Sequence, residues 1–496
     1  MMRLRLVQTT GLWLIVLCIL APRCPGAADF QLLHSFSGPD GRQSFGQLVV
    51  SNATIYGAAP YGGTNDDGLI FSVAASGSNY TALHKFTGAD GSIPTPLAPL
   101  GYALFGAARQ GGTNGAGAVF VLNNDGSNFK VLHAFGGADG KEPGEVVAAN
   151  YFVYGETFLG GANNNGVIYS MGIDGYRFKV LKSFSALSDD LSTATNEDGA
   201  LPSAGMLLNG STLYGVTEVG GSGSTGVVYS MQTDGSGFAV LKNFSATVPD
   251  SVLGTAINED GATPECKLAL AGRTLFGGTA SGGAGGDGVV FSVGVSGAGF
   301  RVLHTFSALA FDRSINAHTN VDGARVTGLT LADNTLYGTT AEGGAFGSGV
   351  VFSMDTNGGN LTVLKAFPAS TSLGGFPYET NSEGVSAEPV VLSGRTLFGA
   401  ALQGGVSGGG ALFSLALPVP PPQLTRLSLA QSQVVILQAN SLPYSTNLLQ
   451  AANSLGPFGS WQTISTNVAR PDGNWGFTDY ASTNAAARFY RAVTLH

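Results

Sequence analysis

Along most of the chain, apolar runs of strand length alternate with short polar, glycine-rich breaks. Residues 118–122 are apolar, Asn124-Asp125-Gly126 follows, and residues 129–135 carry the next run. Asp-Gly between two such runs is a tight hairpin signal. The pattern repeats. An aromatic-glycine pair begins at Tyr56, Phe105, Tyr154, Tyr214, Phe276, Tyr337 and Phe398, and a glycine doublet starts six residues after each aromatic. Fifteen residues after each of the seven comes a second aromatic, from Phe71 in the first unit to Phe413 in the last. After fifteen more, a Leu-(His/Lys)-x-Phe segment ends at Phe86, Phe135, Phe184, Phe244, Phe306 and Phe367. A fixed period of this length marks a repeat architecture. Residues 205–208, 212–217, 226–231 and 238–244 then read as the four short antiparallel strands of one unit, which is one blade of a β-propeller.

The seventh unit lacks its Leu-x-x-Phe segment, and the missing piece stands at the other end of the chain as Leu33-His34-Ser35-Phe36. Residues 30–37 are therefore predicted to pair beside residues 410–416 and close the ring, where an open array would need atypical caps. The fold class expected is all-β: a seven-bladed β-propeller over 29–417, closed by an N-terminal strand. The units differ in one interval only. From the Leu-x-x-Phe phenylalanine to the next Asp-Gly or Glu-Gly, the first three connections take four residues (Phe36 to Asp40, for instance), whereas the last four take 14 or 16. Variable length marks loops, so one face of blades 4–7 is elaborated.

Composition agrees with this reading. Glycine (75 of 496) and proline (21) are abundant and charged residues make up only 11 %, against about 25 % in an average domain. A helical bundle is excluded, and 44 % hydrophobic content excludes disorder. Arg3 and Arg5, an apolar run over 12–21 and small residues near Gly26 have the layout of a secretory signal over 1–28. That run is too short to cross a bilayer, which takes roughly 20 residues, so a secreted or cell-surface chain is expected. The formal charge of −9 becomes more negative once Arg3, Arg5 and Arg23 leave with the signal, which speaks against nucleic acid as a partner. Of three cysteines only Cys266 lies well past the signal. It is expected to be a buried, unpaired thiol.

After residue 417 the repeat stops. A proline-rich spacer (418–422) leads to residues 423–496, whose alternating runs read as a small fibronectin- or immunoglobulin-like β-sandwich. Trp461 and Trp475 lie here and are read as core aromatics rather than a stacking surface. Units such as Thr212-Leu-Tyr-Gly-Val-Thr-Glu-Val-Gly-Gly resemble the bacterial GloVer tandem repeats of secreted "choice-of-anchor" proteins, over about residues 29–417. The C-terminal module resembles the β-sandwiches that end many secreted bacterial proteins. This resemblance implies location and shape; it transfers no catalytic residue.

Motif chemistry is sparse. His34, His84, His133 and His304 share one repeat position with Lys182, Lys242 and Lys365, and a position that accepts either reads as a solvent-facing strand residue rather than a base or ligand. The acidic residue before glycine recurs in every unit (Asp40, Asp90, Asp139, Asp198, Asp260, Asp322, Glu383), preceded by asparagine in the long connections, including Asn196 and Asn381. Turn capping explains it better than calcium, which wants six to eight oxygens. No cofactor or metal is expected, and no catalytic residue. The candidate ligand-binding residues are those in the insertions: Phe311, Arg313, His318, Phe376, Tyr378 and Asn381. The expected function is a secreted, non-enzymatic binding or surface-display scaffold for extracellular polysaccharide or a surface protein. The alternative is a polysaccharide-active hydrolase or lyase on the long-loop face, using Glu197, Glu259 or Glu218. Such an enzyme would need unlike carboxyl groups that break the repeat and converge in one pocket.

Overall fold

The structure, a computed structural model, describes residues 4–9, 12–17, 28–188, 194–372, 379–418, 423–430, 434–440, 446–452, 461–470, 474–479 and 489–494. No helix occurs among them. Residues Ala28–Ala416 form one compact unit, and Leu417–His496 with residues 1–27 form another.

The first unit is a seven-bladed β-propeller. Blade 4 is typical, with strands Leu207–Asn209, Thr212–Thr217, Val227–Gln232 and Ala239–Asn243 in antiparallel order from the axis outward. Tyr214, the repeat aromatic, pairs Leu207 on one side and Ser230 on the other. Closure is as expected: Asp29–Ser35 pairs antiparallel with Ala411–Ala416, placing Phe30 opposite Leu415 and Ser35 opposite Ala411. The Phe36 amide then donates to the Gly410 carbonyl at 3.0 Å.

The aromatic-glycine pair has a steric cause. The glycine after each repeat aromatic lies opposite the second aromatic on the neighbouring strand, as Gly57 lies opposite Phe71. The ring crosses directly over it, and a β-carbon on Gly57 would come within 2.4 Å of Phe71 Cζ. Only glycine admits that approach. The same ring meets the outer-strand phenylalanine of the preceding blade edge to face. Phe36–Phe71 centroids are 5.4 Å apart, Phe86–Phe120 5.2 Å and Phe367–Phe413 5.3 Å. All seven blade junctions are built this way, which explains why the 15-residue spacings are held while the connections vary.

Three of the elaborated connections form β-ribbons: Val248–Asp250 with Thr255–Ile257, Ala310–Asp312 with Ala317–Thr319, and Thr371–Ser372 with the start of Glu379–Ala387. The sequence reading had them as loops. In the second unit two three-stranded antiparallel sheets occur. One holds Gln423–Ala430, Val434–Asn440 and Asn474–Asp479; the other holds Gln462–Val468, Thr446–Ala452 and Phe489–Thr494. Trp475 is buried and Trp461 half-buried.

Candidate functional site: the axial cavity and its mouth

Seven near-identical blades make the exceptions informative. The inner strands line an axial cavity of about 400 Å³. Nine residues before the repeat aromatic, the inward position holds Gln47 in blade 1, Glu145 in blade 3 and Lys267 in blade 5, with proline or glycine in the other four. Lys267 Nζ forms an ion pair with Glu145, joining two blades that are not neighbours. The Gln47 amide donates to Thr330 Oγ1 and to the Val390 carbonyl, both at 3.2 Å.

Further unlike charges lie on or beside the same wall. Arg109 and Glu218 stand four residues after their repeat aromatics, where the second strand runs toward the glycine doublet, and Glu265 precedes Lys267 by two. Arg109 and Glu265 line the cavity. Glu218 accepts a hydrogen bond from Ser203 Oγ. Burial pushes its carboxyl above the usual range, against the bond from Ser203 and the charge of Arg109. Glu265 is also pushed up, by burial first and by the charge of Glu218 second, with Arg325 acting the other way. Neither the Arg109 nor the Glu265 side chain forms a hydrogen bond or ion pair among the described residues, and the Arg109 Nε is buried without a partner. Glu388, also on the cavity wall, accepts the Gly46 amide at 2.8 Å and is pushed up to about 7 by its enclosure.

Glu156 is a deeper exception. Its position, two after the repeat aromatic, is occupied in other blades by alanine, valine, glycine or threonine. Its carboxyl is buried, takes 2.8 and 2.9 Å bonds from the Gly205 amide and the Tyr229 hydroxyl, and is raised to about 7 by burial. Motif searching missed all of these except Glu218. The signal that finds them is departure from the repeat at inward-facing positions.

The insertion residues fall into three groups. Phe311, Arg313 and His318 come together on one exposed ribbon, with Phe311 opposite His318 and ring centroids 5.2 Å apart. Phe376 and Tyr378 lie outside the described residues. Asn381 spends its amide internally: Nδ2 donates to the Pro368 and Gly384 carbonyls, and Oδ1 accepts the Glu383 and Gly384 amides. Glu197 and Glu259 are exposed and do not line the cavity.

The repeated His/Lys position differs from its solvent-facing reading. Each of these side chains is half-buried and clasped by the acidic residue of the following connection: His34 to Asp40 at 2.9 Å, Lys182 to Asp198 at 2.6 Å, His304 to Asp322 at 2.8 Å, and Lys365 to Glu383. Six of the seven also rest on an aromatic ring, as Lys182 does on Phe238 at 4.2 Å; at His304 the corresponding residue is Leu361. Histidine and lysine are interchangeable there because both satisfy a carboxylate and a π face. The carboxylates cap turns as expected, for example Asp40 accepting the Ser37 amide at 2.8 Å. In three long connections the asparagine clamps the glycine doublet, Asn196 Oδ1 accepting the Gly221 amide at 2.9 Å. Among the described residues no group of three or more His, Cys, Asp or Glu could hold a metal ion.

The fold and these departures define a closed propeller whose sevenfold pattern is broken by charge along its axis. The repeats themselves match the Gloeobacter/Verrucomicrobia repeat family in three overlapping stretches, residues 23–192, 98–252 and 191–383. The chain belongs to that family, in agreement with the resemblance seen in its sequence. No curated protein matches it. Similar solved structures include the computationally designed Ika8 protein (12 % identity, TM-score 0.43, 78 % of this chain and 100 % of that one). A Niastella koreensis GH74 enzyme is 12 % identical at TM-score 0.46, with 94 % and 74 % covered. YCF48 from Cyanidioschyzon merolae is 10 % identical at TM-score 0.46, with 78 % and 98 % covered. None of them lends a residue role to this chain.

Proposed function

We propose that the chain is an exported, non-enzymatic binding scaffold that engages an extracellular polysaccharide through the insertion-bearing face, seating one charged sugar unit in the axial mouth. The observation that carries this is the pair Arg109 and Glu265, which are unlike, break the repeat, lack partners and line the same cavity. A cavity of about 400 Å³ falls within the usual range for small-ligand sites. Of the other cavity groups, Glu145 pairs with Lys267 and Glu388 accepts the Gly46 amide. Glu265 is left over as a carboxylate, which suits an amino sugar, while Arg109 offers donors to ring or hydroxyl oxygens. The ribbon bearing Phe311, Arg313 and His318 extends the contact area beyond the mouth.

The test is binding of chitosan oligosaccharides to the full chain by calorimetry. R109A and E265Q should each weaken binding at least tenfold, and added salt should weaken it further. Affinity that ignores both substitutions removes the mouth from the binding site. A second reading, a polysaccharide-active hydrolase or lyase, is favoured by one observation: Glu218 and Glu265 are neighbouring, unequal carboxyl groups pushed up by burial. Release of reducing ends or unsaturated products that E218Q and E265Q abolish would replace the scaffold reading with this one.

A further inference from the structure

The three most exposed aromatic rings among the described residues are Tyr102, Tyr151 and Tyr176, at 83, 76 and 72 %. They share one region. Tyr102 and Tyr151 occupy the turn between the first and second strands of blades 2 and 3, and Tyr176 the turn between the third and fourth strands of blade 3. In an up-and-down blade both turns emerge on the face opposite the insertions. Other blades place alanine, serine, arginine or asparagine where Tyr102 and Tyr151 stand, and serine, alanine or glycine where Tyr176 stands.

Between the two blades runs a groove of about 430 Å³, with Leu100, Gly101 and Ala103 on one side and Asn150, Tyr151 and Ile173 on the other. No charged residue lines it. Tyr151 also adopts φ +67° directly after Asn150 at +51°. A bulky side chain rarely tolerates the left-handed region; at this turn position only Ala53 of blade 1 shares it (φ +59°), whereas blades 2, 4, 5 and 7 carry a left-handed glycine one residue earlier, in the place of Asn150 (Gly101, Gly210, Gly272, Gly394). Tyr151 is thus the one bulky residue held in this conformation at that turn position.

We propose that this tyrosine platform is a second carbohydrate-binding site, one that takes a neutral polysaccharide. Exposed tyrosine rings offer flat apolar faces to the C–H faces of pyranose rings, and their hydroxyls and the Asn150 amide offer hydrogen bonds to sugar hydroxyls. A protein partner would need about 800 Å² per side with a packed apolar centre, whereas this groove holds about 430 Å³ and is bordered by glycine and asparagine. The inference does not depend on the axial mouth. With both faces engaged, one molecule would bridge two glycan strands.

The experiment is retention of the full chain on cellulose, xylan and chitin, compared with Y102A/Y151G/Y176A and with Y151G alone. Wild type should be retained on at least one of the three, equally at low and high salt, and the triple variant about tenfold less. Y151G should melt higher than wild type, since glycine relieves the strained turn, yet bind more weakly. R109A/E265Q should be retained normally, which separates this site from the axial one. The inference is overturned by an absence of retention on all three polymers, or by a triple variant that binds like wild type. A wild-type dimer that the triple variant loses would also overturn it, by assigning the platform to self-association.

Discussion

The imidazole of His34 lies flat on the ring of Tyr80, with centroids 4.2 Å apart and planes 7° apart. His34 comes from the N-terminal strand that completes blade 7, and Tyr80 precedes the outer strand of blade 1. Phe36, two residues on, is fully buried against Phe71. The ring is thus sealed by packing as well as by ladder bonds. Removing residues 29–38 should lower the chemical-denaturation midpoint sharply, and F36A alone should cost about 3–5 kcal/mol. A truncated chain that unfolds at the wild-type midpoint would show that the strand is dispensable.

The glycine under each aromatic ring offers a second test. Gly57 is not in the left-handed region, so G57A is governed by space alone: the added methyl meets Phe71 and a Leu48 methyl. Overpacking of this kind costs typically 1–3 kcal/mol. In a Phe71→Leu background the ring is gone, and the same G57A change should cost less. A double-mutant cycle measures the difference, and additive losses would sever the proposed link between Gly57 and Phe71.

Glu156 ties stability to pH. Its folded value of about 7 lies above that of an unfolded glutamate, so the folded state holds the proton more tightly. Its contribution is fully present below about pH 4.3 and is lost as pH rises through about 7. E156Q removes this titration, and Gln can still accept the Gly205 amide while donating to Tyr229. At pH 8 the variant should be more stable than wild type by on the order of 2–3 kcal/mol, with the gap closing by pH 4. Parallel stability–pH curves for the two proteins would contradict the assignment.

The repeat, its closure and the elaborated face were legible in the sequence because one contact, an aromatic ring over a glycine, fixes two residue types and one distance in every blade. Cys266 was legible for a similar reason: its place just before the inner strand Ala269–Ala271 puts it in the core, where it is a free buried thiol. The axial residues were not. Arg109 shares its repeat position with the oppositely charged Glu218, Glu145 shares its own with Lys267, and Glu265 stands alone at a third, so no motif contains them. Only folding the inner strands around one axis brings them together. The clasped cations were misread because tolerance of His or Lys was taken to mean solvent, when a half-buried carboxylate and ring serve both.

That clasp makes the last prediction. Lys182 Nζ sits 2.6 Å from Asp198 and 4.2 Å from the centre of the Phe238 ring, and Asp198 also takes bonds from the Ser185 amide and hydroxyl. Asp198 is buried. D198A leaves an ammonium half-buried without its counter-charge and two donors unmet, and should cost about 3–5 kcal/mol by denaturant titration. K182H copies the arrangement of His34, His84 and His133, each paired with an aspartate and stacked on a ring of the next blade, so it should stay within about 1 kcal/mol of wild type. K182M keeps the packing on Phe238 but strips Asp198 of its partner, and should fall between the two. Equal losses for K182H and K182M would mean that the position is held by size alone and that the carboxylate plays no part.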